Sequence, residues 1–230
     1  MSDELVKVAR AGKAYTRGKQ KVSIFEGLDM RIEKGAFLAI MGPSGSGKTT
    51  LLNMLGGVDR PTSGEILFQG KRVDNLSESA LAAFRAGHVG FIFQFYNLMP
   101  MLTAQQNVEL PLLLTRLSKK QRRDRAAAAL EIVGLSDRAK HKPAELSGGQ
   151  QQRVAIARAI VSDPELILAD EPTGDLDRET ANEVLTMLQE LNRLHGKTIV
   201  MVTHDAEAAR YAKKTLHLDK GVFVEKGLNS

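Results

Sequence analysis

The chain has 230 residues, 43% of them hydrophobic and none of them cysteine, with 32 Lys and Arg against 27 Asp and Glu for a formal net charge of +5. That is chain enough for one large domain or a domain with a subdomain, in an ordinary globular composition. The absence of cysteine excludes a disulfide framework, a thiolate metal site and a cysteine nucleophile, and no apolar run approaches the ~20 residues of a membrane span.

The longest apolar runs are Val108–Leu114 and Thr198–Thr203, and the N-terminus MSDELVKVAR lacks the apolar stretch of a secretory leader. A cytoplasmic chain is expected. Up to about Glu33 apolar and polar residues alternate (Val22, Ile24, then Leu28, Met30, Ile32), which predicts half-buried antiparallel strands. Phe37–Met41 predicts a buried strand, and Thr50–Leu55 a helix closed by Gly56 and Gly57.

Between them stands GPSGSGKT, Gly42–Thr49, a Gly-x-x-x-x-Gly-Lys-Thr loop in the strand-to-helix context of a P-loop. Gly42, Gly45 and Gly47 let backbone N–H groups converge on phosphate oxygens, with Pro43, Ser44 and Ser46 completing the loop. The helix N-terminus adds its partial positive charge. Lys48 then reaches the β- and γ-phosphates, and the Thr49 hydroxyl ligates Mg²⁺. The loop predicts binding of a nucleoside triphosphate.

Gly64–Phe68 predicts a strand after the turn at Pro61–Gly64, Ser79–Arg85 a short helix, and His88–Phe93 a strand ending at Gln94. A helical stretch follows from Thr103 to about Val133, broken near Pro111 and Ser118. Its densest charge cluster, Lys119–Arg125, reads as a solvated helix start rather than a nucleic-acid patch, because no aromatics interleave. Phe95, Tyr96, Leu98, Met99 and Met101 crowd the residues after Gln94, as either helical core or a docking groove.

LSGGQ, Leu146–Gln150, opens a helix with Ser147 at its N-cap and Gly148 and Gly149 in the first turn, exposing N–H groups to an anion. Val154, Ala157 and Val161 share one face of that helix. Leu166–Ala169 predicts a buried strand leading into Asp170 and Glu171, which places two carboxylates where ligands sit in parallel sheets. Asp170 suits Mg²⁺, and Glu171 is placed to polarise a water for in-line attack on the γ-phosphate. A helix over Glu179–Leu194, with Val184, Leu188 and Leu191 on one stripe, ends at His195 and Gly196. A strand at Thr198–Val202, a helix at Ala206–Ala212 and strands at Thr215–Leu218 and Val222–Glu225 close the chain. The alternation predicts α/β with a largely parallel sheet.

In this order the motifs resemble the ATP-binding subunit of ABC (ATP-binding cassette) transporters over nearly the whole chain. The resemblance implies a P-loop NTPase (RecA-like) core with a mainly parallel sheet, an N-terminal antiparallel β-subdomain and an α-helical subdomain inserted near residues 95–160, in one domain over 1–230. It makes Tyr15 the aromatic that stacks on adenine, and Gly42–Thr49 with Thr50 the Walker A segment. Gln94 becomes the Q-loop glutamine that senses Mg²⁺ and the attacking water. Ser147, Gly148, Gly149 and Gln150 belong to the family signature, Asp170 and Glu171 to Walker B, and Asp175-Leu176-Asp177 to the D-loop. Glu171 is then the catalytic carboxylate and His204 the switch histidine on the γ-phosphate.

The resemblance further implies ATP and Mg²⁺ as cofactors and ATP hydrolysis coupled to transport. Two copies face head to tail, the signature of one completing the site of the other. The implied partner is an integral membrane permease, with no nucleic acid, and the implied location is peripheral, on the cytoplasmic face of the membrane. Leu55–Ile66 and the residues after Gln94 are similar to the branch of lipoprotein-releasing and macrolide exporters, so an exporter or lipoprotein-extracting system is expected. A signalling cassette of cell division or a soluble ABC ATPase is the other reading. A GTPase would carry an Asn-Lys-x-Asp motif, and an SMC-type ATPase long heptads between Thr49 and Leu146; the chain has neither.

Overall fold

The fold is that of a computed structural model, which describes residues 3–18 and 20–224. β1 (Glu4–Arg17) and β2 (Gln20–Glu33) form a long antiparallel hairpin, and β4 (Ser63–Phe68) and β5 (Lys71–Arg72) extend it in the order β2-β1-β4-β5. A second sheet runs β10 (Val222–Val224), β9 (Lys214–Asp219), β3 (Phe37–Met41), β8 (Thr198–Val202), β7 (Leu166–Asp170), β6 (Val89–Phe93). It is parallel from β9 to β6, and β10 joins β9 antiparallel. The helices are α1 (Lys48–Leu55), α2 (Glu78–His88), α3 (Ala104–Glu109), α4 (Lys119–Ile132), α5 (Gly148–Ile160), α6 (Arg178–His195) and α7 (Ala206–Ala209). Short 3-10 turns stand at Leu110–Leu114, Ser136–Arg138 and Pro143–Glu145.

Successive side chains of a strand point to opposite faces, so a sheet covered on both sides reads as a continuous apolar run. In β3, β7 and β8 this divides the residues cleanly. Leu38, Ile40, Leu166, Leu168, Val200 and Val202 pack with α1, α2 and the antiparallel sheet. Phe37, Ala39, Ile167, Ala169, Ile199 and Met201 pack with α3, α4, α5 and α6. Each fully buried aliphatic side chain contributes roughly 1.5–3 kcal/mol, so the strands that carry the site are gripped from both sides. Among the described residues no helix is long and apolar enough to cross a membrane.

Several expected boundaries move. α2 starts earlier because Ser77, not a later residue, is its cap, accepting from the Ala80 N–H; it also runs on through His88, leaving β6 to begin at Val89. α7 is shorter than Ala206–Ala212, because the N–H groups of Arg210, Tyr211 and Ala212 turn to acceptors three residues back. β5, two residues long, carries no alternation to read and was not expected. The expected last strand reaches Glu225, which lies outside the described residues.

Candidate active site

At the end of β3 the chain turns through Gly42–Gly47 and enters α1 at Lys48. Gly47 has φ 102°, and a Cβ there would stand 2.8 Å from the Phe25 ring, so the turn both needs a left-handed residue and leaves no room for a side chain. Gly45, with φ 79°, faces open space. No side chain caps α1, which leaves its first N–H groups free to meet an anion. The Ser46 Oγ is buried without a hydrogen-bond partner. Lys48 folds back over the loop, its Nζ donating to Gly42 O at 2.8 Å and Pro43 O at 2.9 Å. A cradle of open amides with a cation held across it fits a polyphosphate.

The facing wall comes from β7 and β8. The Thr49 hydroxyl donates to Asp170 Oδ2 at 3.0 Å. Burial pushes the Asp170 carboxyl up; the Thr49 hydrogen bond and Lys48 draw it down, and the neighbouring Glu171 charge pushes it up again, for a net rise. Glu171 holds a left-handed backbone, φ 50°, pinned by its N–H bond to Val202 O at 2.9 Å. Its Oε2 lies 2.6 Å from His204 Nδ1, just beyond β8. Gln94, at the end of β6, lies against Gly174, where a Cβ would come within 2.9 Å of its Nε2. Gly42, Pro43, Ser44, Gly45, Gly47, Lys48, Thr49, Thr50, Gln94, Asp170, Glu171 and His204 thus line one cleft of about 790 Å³ at the carboxyl edge of the parallel strands. Ile24, Phe93, Phe95, Asn97 and Val202 complete its walls.

Two sets of expected residues lie elsewhere. Ser147 caps α5 by accepting from the Gln150 N–H at 3.3 Å, while Gln150 Oε1 accepts from the Ser147 N–H at 3.0 Å. Gly149 is packed so closely that a Cβ would meet Thr180 Cγ2 at 2.2 Å. Neither these residues nor Gly148 line the cleft. Tyr15 stands outside it too, 43% exposed, with its hydroxyl donating to Asp59 Oδ2 at 2.6 Å.

Sequence reasoning missed the residues that shape the loop after Gln94. Arg158, on α5, donates to Asn97 O at 2.6 Å and Tyr96 O at 2.7 Å. Both acceptor residues are left-handed, Tyr96 at φ 56° and Asn97 at φ 49°. The Tyr96 hydroxyl reaches Asp175 Oδ2 at 3.4 Å and would touch a Cβ at Gly148. Gln152, fully buried on α5, donates to the carbonyls of Phe93 and Pro172, tying the ends of β6 and β7 together. A polar residue on the otherwise apolar face of α5 was the only available signal for Gln152.

Known proteins are similar to this chain in sequence and fold. A family model described as ABC transporter matches residues 25–174. The macrolide export ATP-binding/permease protein MacB of Sodalis glossinidius is 48% identical over 97% of this chain, which spans 34% of that protein. The lipoprotein-releasing system ATP-binding protein LolD of Syntrophus aciditrophicus is 45% identical over 96% of this chain and 99% of its own length. The solved dimer of the ATP-binding cassette MJ0796 in a post-hydrolysis state with ADP and Pi matches with a TM-score of 0.89 at 42% identity, over 98% of this chain and 100% of that one. With a P-loop, paired acids and a histidine converging on one cleft, and with these relatives, the chain belongs to the ABC transporter family as an ATP-hydrolysing cassette.

Proposed function

We propose that the protein is the ATP-driven motor of a membrane exporter and works as a head-to-tail dimer. The observation that carries the reading is a separation within one chain: the P-loop, Asp170, Glu171 and His204 share a cleft, while Ser147–Gln150 lie outside it. A second copy supplies the missing wall, with the capped start of its α5 offering Ser147 and the N–H groups of Gly148 and Gly149 to the γ-phosphate. The MJ0796 dimer, solved with ADP and Pi, supports this.

The chemistry follows from the side chains. Thr49 and Asp170 put hard oxygen ligands 3.0 Å apart at the mouth of the P-loop, a fit for Mg²⁺ that the Gln94 amide extends. A bound Mg²⁺ neutralises phosphate charge. Lys48 exchanges its two loop carbonyls for phosphate oxygens. Glu171 accepts a proton from the attacking water as its oxygen bonds to the γ-phosphorus and the bond to the ADP oxygen breaks. His204, 2.6 Å from that carboxylate, holds it in place and faces the γ-phosphate. Glu171→Gln is expected to lower turnover on the order of a hundredfold or more and to trap a dimer with ATP, read by size-exclusion chromatography. Wild-type turnover, or a monomer in saturating ATP, overturns the reading.

The membrane partner is supported by a second groove of about 390 Å³, lined by Val58, Phe91, Pro111, Leu114 and Arg158 among others. Leu114 in its lining is 74% exposed, and Phe95 and Met101, in the segment after Gln94, are 68% and 78% exposed, apolar surface of the kind that marks a partner site. The names of the MacB and LolD relatives favour an exporter or a lipoprotein-releasing system, and with it a peripheral position on the cytoplasmic face of the membrane. Glu171→Gln protein purified from gently solubilised membranes with ATP and Mg²⁺ should carry a stoichiometric integral membrane protein. Ribosomal proteins in its place would promote the soluble ATPase reading.

A further inference from the structure

Lys13 is only 8% exposed, and an ammonium is buried at a cost unless it is paired. Its partners are Asp59 Oδ1 at 2.5 Å and Arg60 O at 2.8 Å. The same ammonium stands 4.7 Å from the centroid of the Tyr15 ring. The Tyr15 hydroxyl donates to the other Asp59 oxygen at 2.6 Å. Asp59 is itself tied to the P-loop helix, its N–H donating to Asn53 O at 3.1 Å. Burial pushes the Asp59 carboxyl up, but hydrogen bonds from Lys13 and Tyr15 outweigh it and keep the carboxyl ionised. Burial and the bond to Asp59 raise the Tyr15 phenol, so it stays a donor. Lys13, Asp59 and Tyr15 therefore form one closed unit. A cation packs against the ring, and the ring's far end is anchored to the helix that begins with Lys48.

We infer that Lys13 and Asp59 are positioning residues that hold the Tyr15 ring as a preformed platform for the nucleotide base. This rests on the reading of Tyr15 as the base-stacking aromatic. A ring on a free hairpin strand would have to be immobilised at the moment of binding. Here the immobilisation is complete beforehand, and the affinity gained is specific to ligands that carry a base.

The test compares ATP with inorganic tripolyphosphate, which engages the P-loop but has no base. Both are titrated by calorimetry into wild type, Lys13→Met, Tyr15→Phe and Tyr15→Ala. Freezing one rotor-rich side chain and losing a cation–π contact predict an ATP Kd raised about fivefold in Lys13→Met. A smaller rise is expected in Tyr15→Phe, which keeps the ring and folds as wild type. Tripolyphosphate binding stays unchanged in both, and in ATPase assays KM rises more than kcat falls. If Tyr15→Ala weakens ATP alone while Lys13→Met and Tyr15→Phe match wild type, the positioning inference is wrong and the base contact survives. If Tyr15→Ala binds ATP normally, the base contact itself is wrong and the inference falls with it. An equal loss of ATP and tripolyphosphate in Lys13→Met makes Lys13 a structural residue only and also overturns the inference.

Discussion

Arg158→Met removes the two hydrogen bonds that fix the chain's path just after Gln94. Charge-assisted hydrogen bonds contribute roughly 1.5–3 kcal/mol each, about 3–6 kcal/mol for the pair. Two effects reduce that figure. Burial lowers the Arg158 pKa, so part of the gain repays the desolvation of the guanidinium. The left-handed backbones of Tyr96 and Asn97 store about 1–2 kcal/mol each, released when the loop relaxes. The remainder is about 1–3 kcal/mol, which in a chain of this size lowers Tm by roughly 3–10 °C. The relaxed loop also frees Gln94 from its seat against Gly174. Misplacing such a group reduces kcat by about tenfold or more. Thermal melts, hydrogen exchange at residues 93–99 and steady-state ATPase assays read all three effects. Unchanged melting together with wild-type turnover would refute the reasoning, and melting loss with intact kcat would reduce the clamp to a structural support.

Asp170→Asn should stabilise the nucleotide-free protein while abolishing Mg²⁺-dependent hydrolysis. The Asp170 pKa is raised chiefly by burial, so above that pKa its charge destabilises the fold; as pH falls through it, the native state takes up the proton first and the penalty disappears. The melting advantage of Asn should therefore be largest at mildly alkaline pH and shrink on acidification; a less stable variant at alkaline pH contradicts this. Gly149→Ala forces a Cβ to 2.2 Å from Thr180 Cγ2 and should cost about 1–3 kcal/mol in urea unfolding. Gly148→Ala meets the end of the Tyr96 side chain, its hydroxyl at 2.9 Å, and makes an ordinary contact with Leu176 Cδ2 at 3.7 Å, so it should leave the unfolding midpoint almost unchanged while weakening ATP-driven dimerisation by analytical ultracentrifugation. Equal midpoints for the two variants would show that α5 and α6 separate freely.

The parts of the fold held by local rules were legible. Phe37–Met41 and Thr198–Val202 are bounded as their apolar runs predict, and Ser147 caps α5 as its residue type suggests. The cleft residues were legible for a related reason: a P-loop is a contiguous segment, and Asp170 and Glu171 end a strand whose apolar run announces it. What escaped depends on contacts between distant segments. Arg158 reads as one more basic residue in an amphipathic helix until α5 is folded beneath the loop at residues 96–97. Lys13 looks like an exposed strand lysine, because nothing in its neighbourhood reveals Asp59 46 residues away. His88 went to the wrong element because Gly87 reads as the stop of the helix, whereas α2 runs through it and hands over to β6 only at Val89.

The order of the six-stranded sheet sets how each part of the cleft is held. β3, which launches the P-loop, has β8 on one side and β9 on the other, whereas β6, which leads into Gln94, is bonded among the described residues to β7 alone. Its backbone otherwise rests on α5, so tightly that a Cβ at Gly90 would meet Ala159 O at 2.3 Å. The cleft therefore has one jaw braced by strands on both sides and one braced by a strand on a single side. The phosphate grip is bolted to the middle of the sheet, and the glutamine rides on the outermost strand together with the helix that presents the signature. The apolar groove opens on that same edge, lined by Phe91 of β6 and Arg158 of α5.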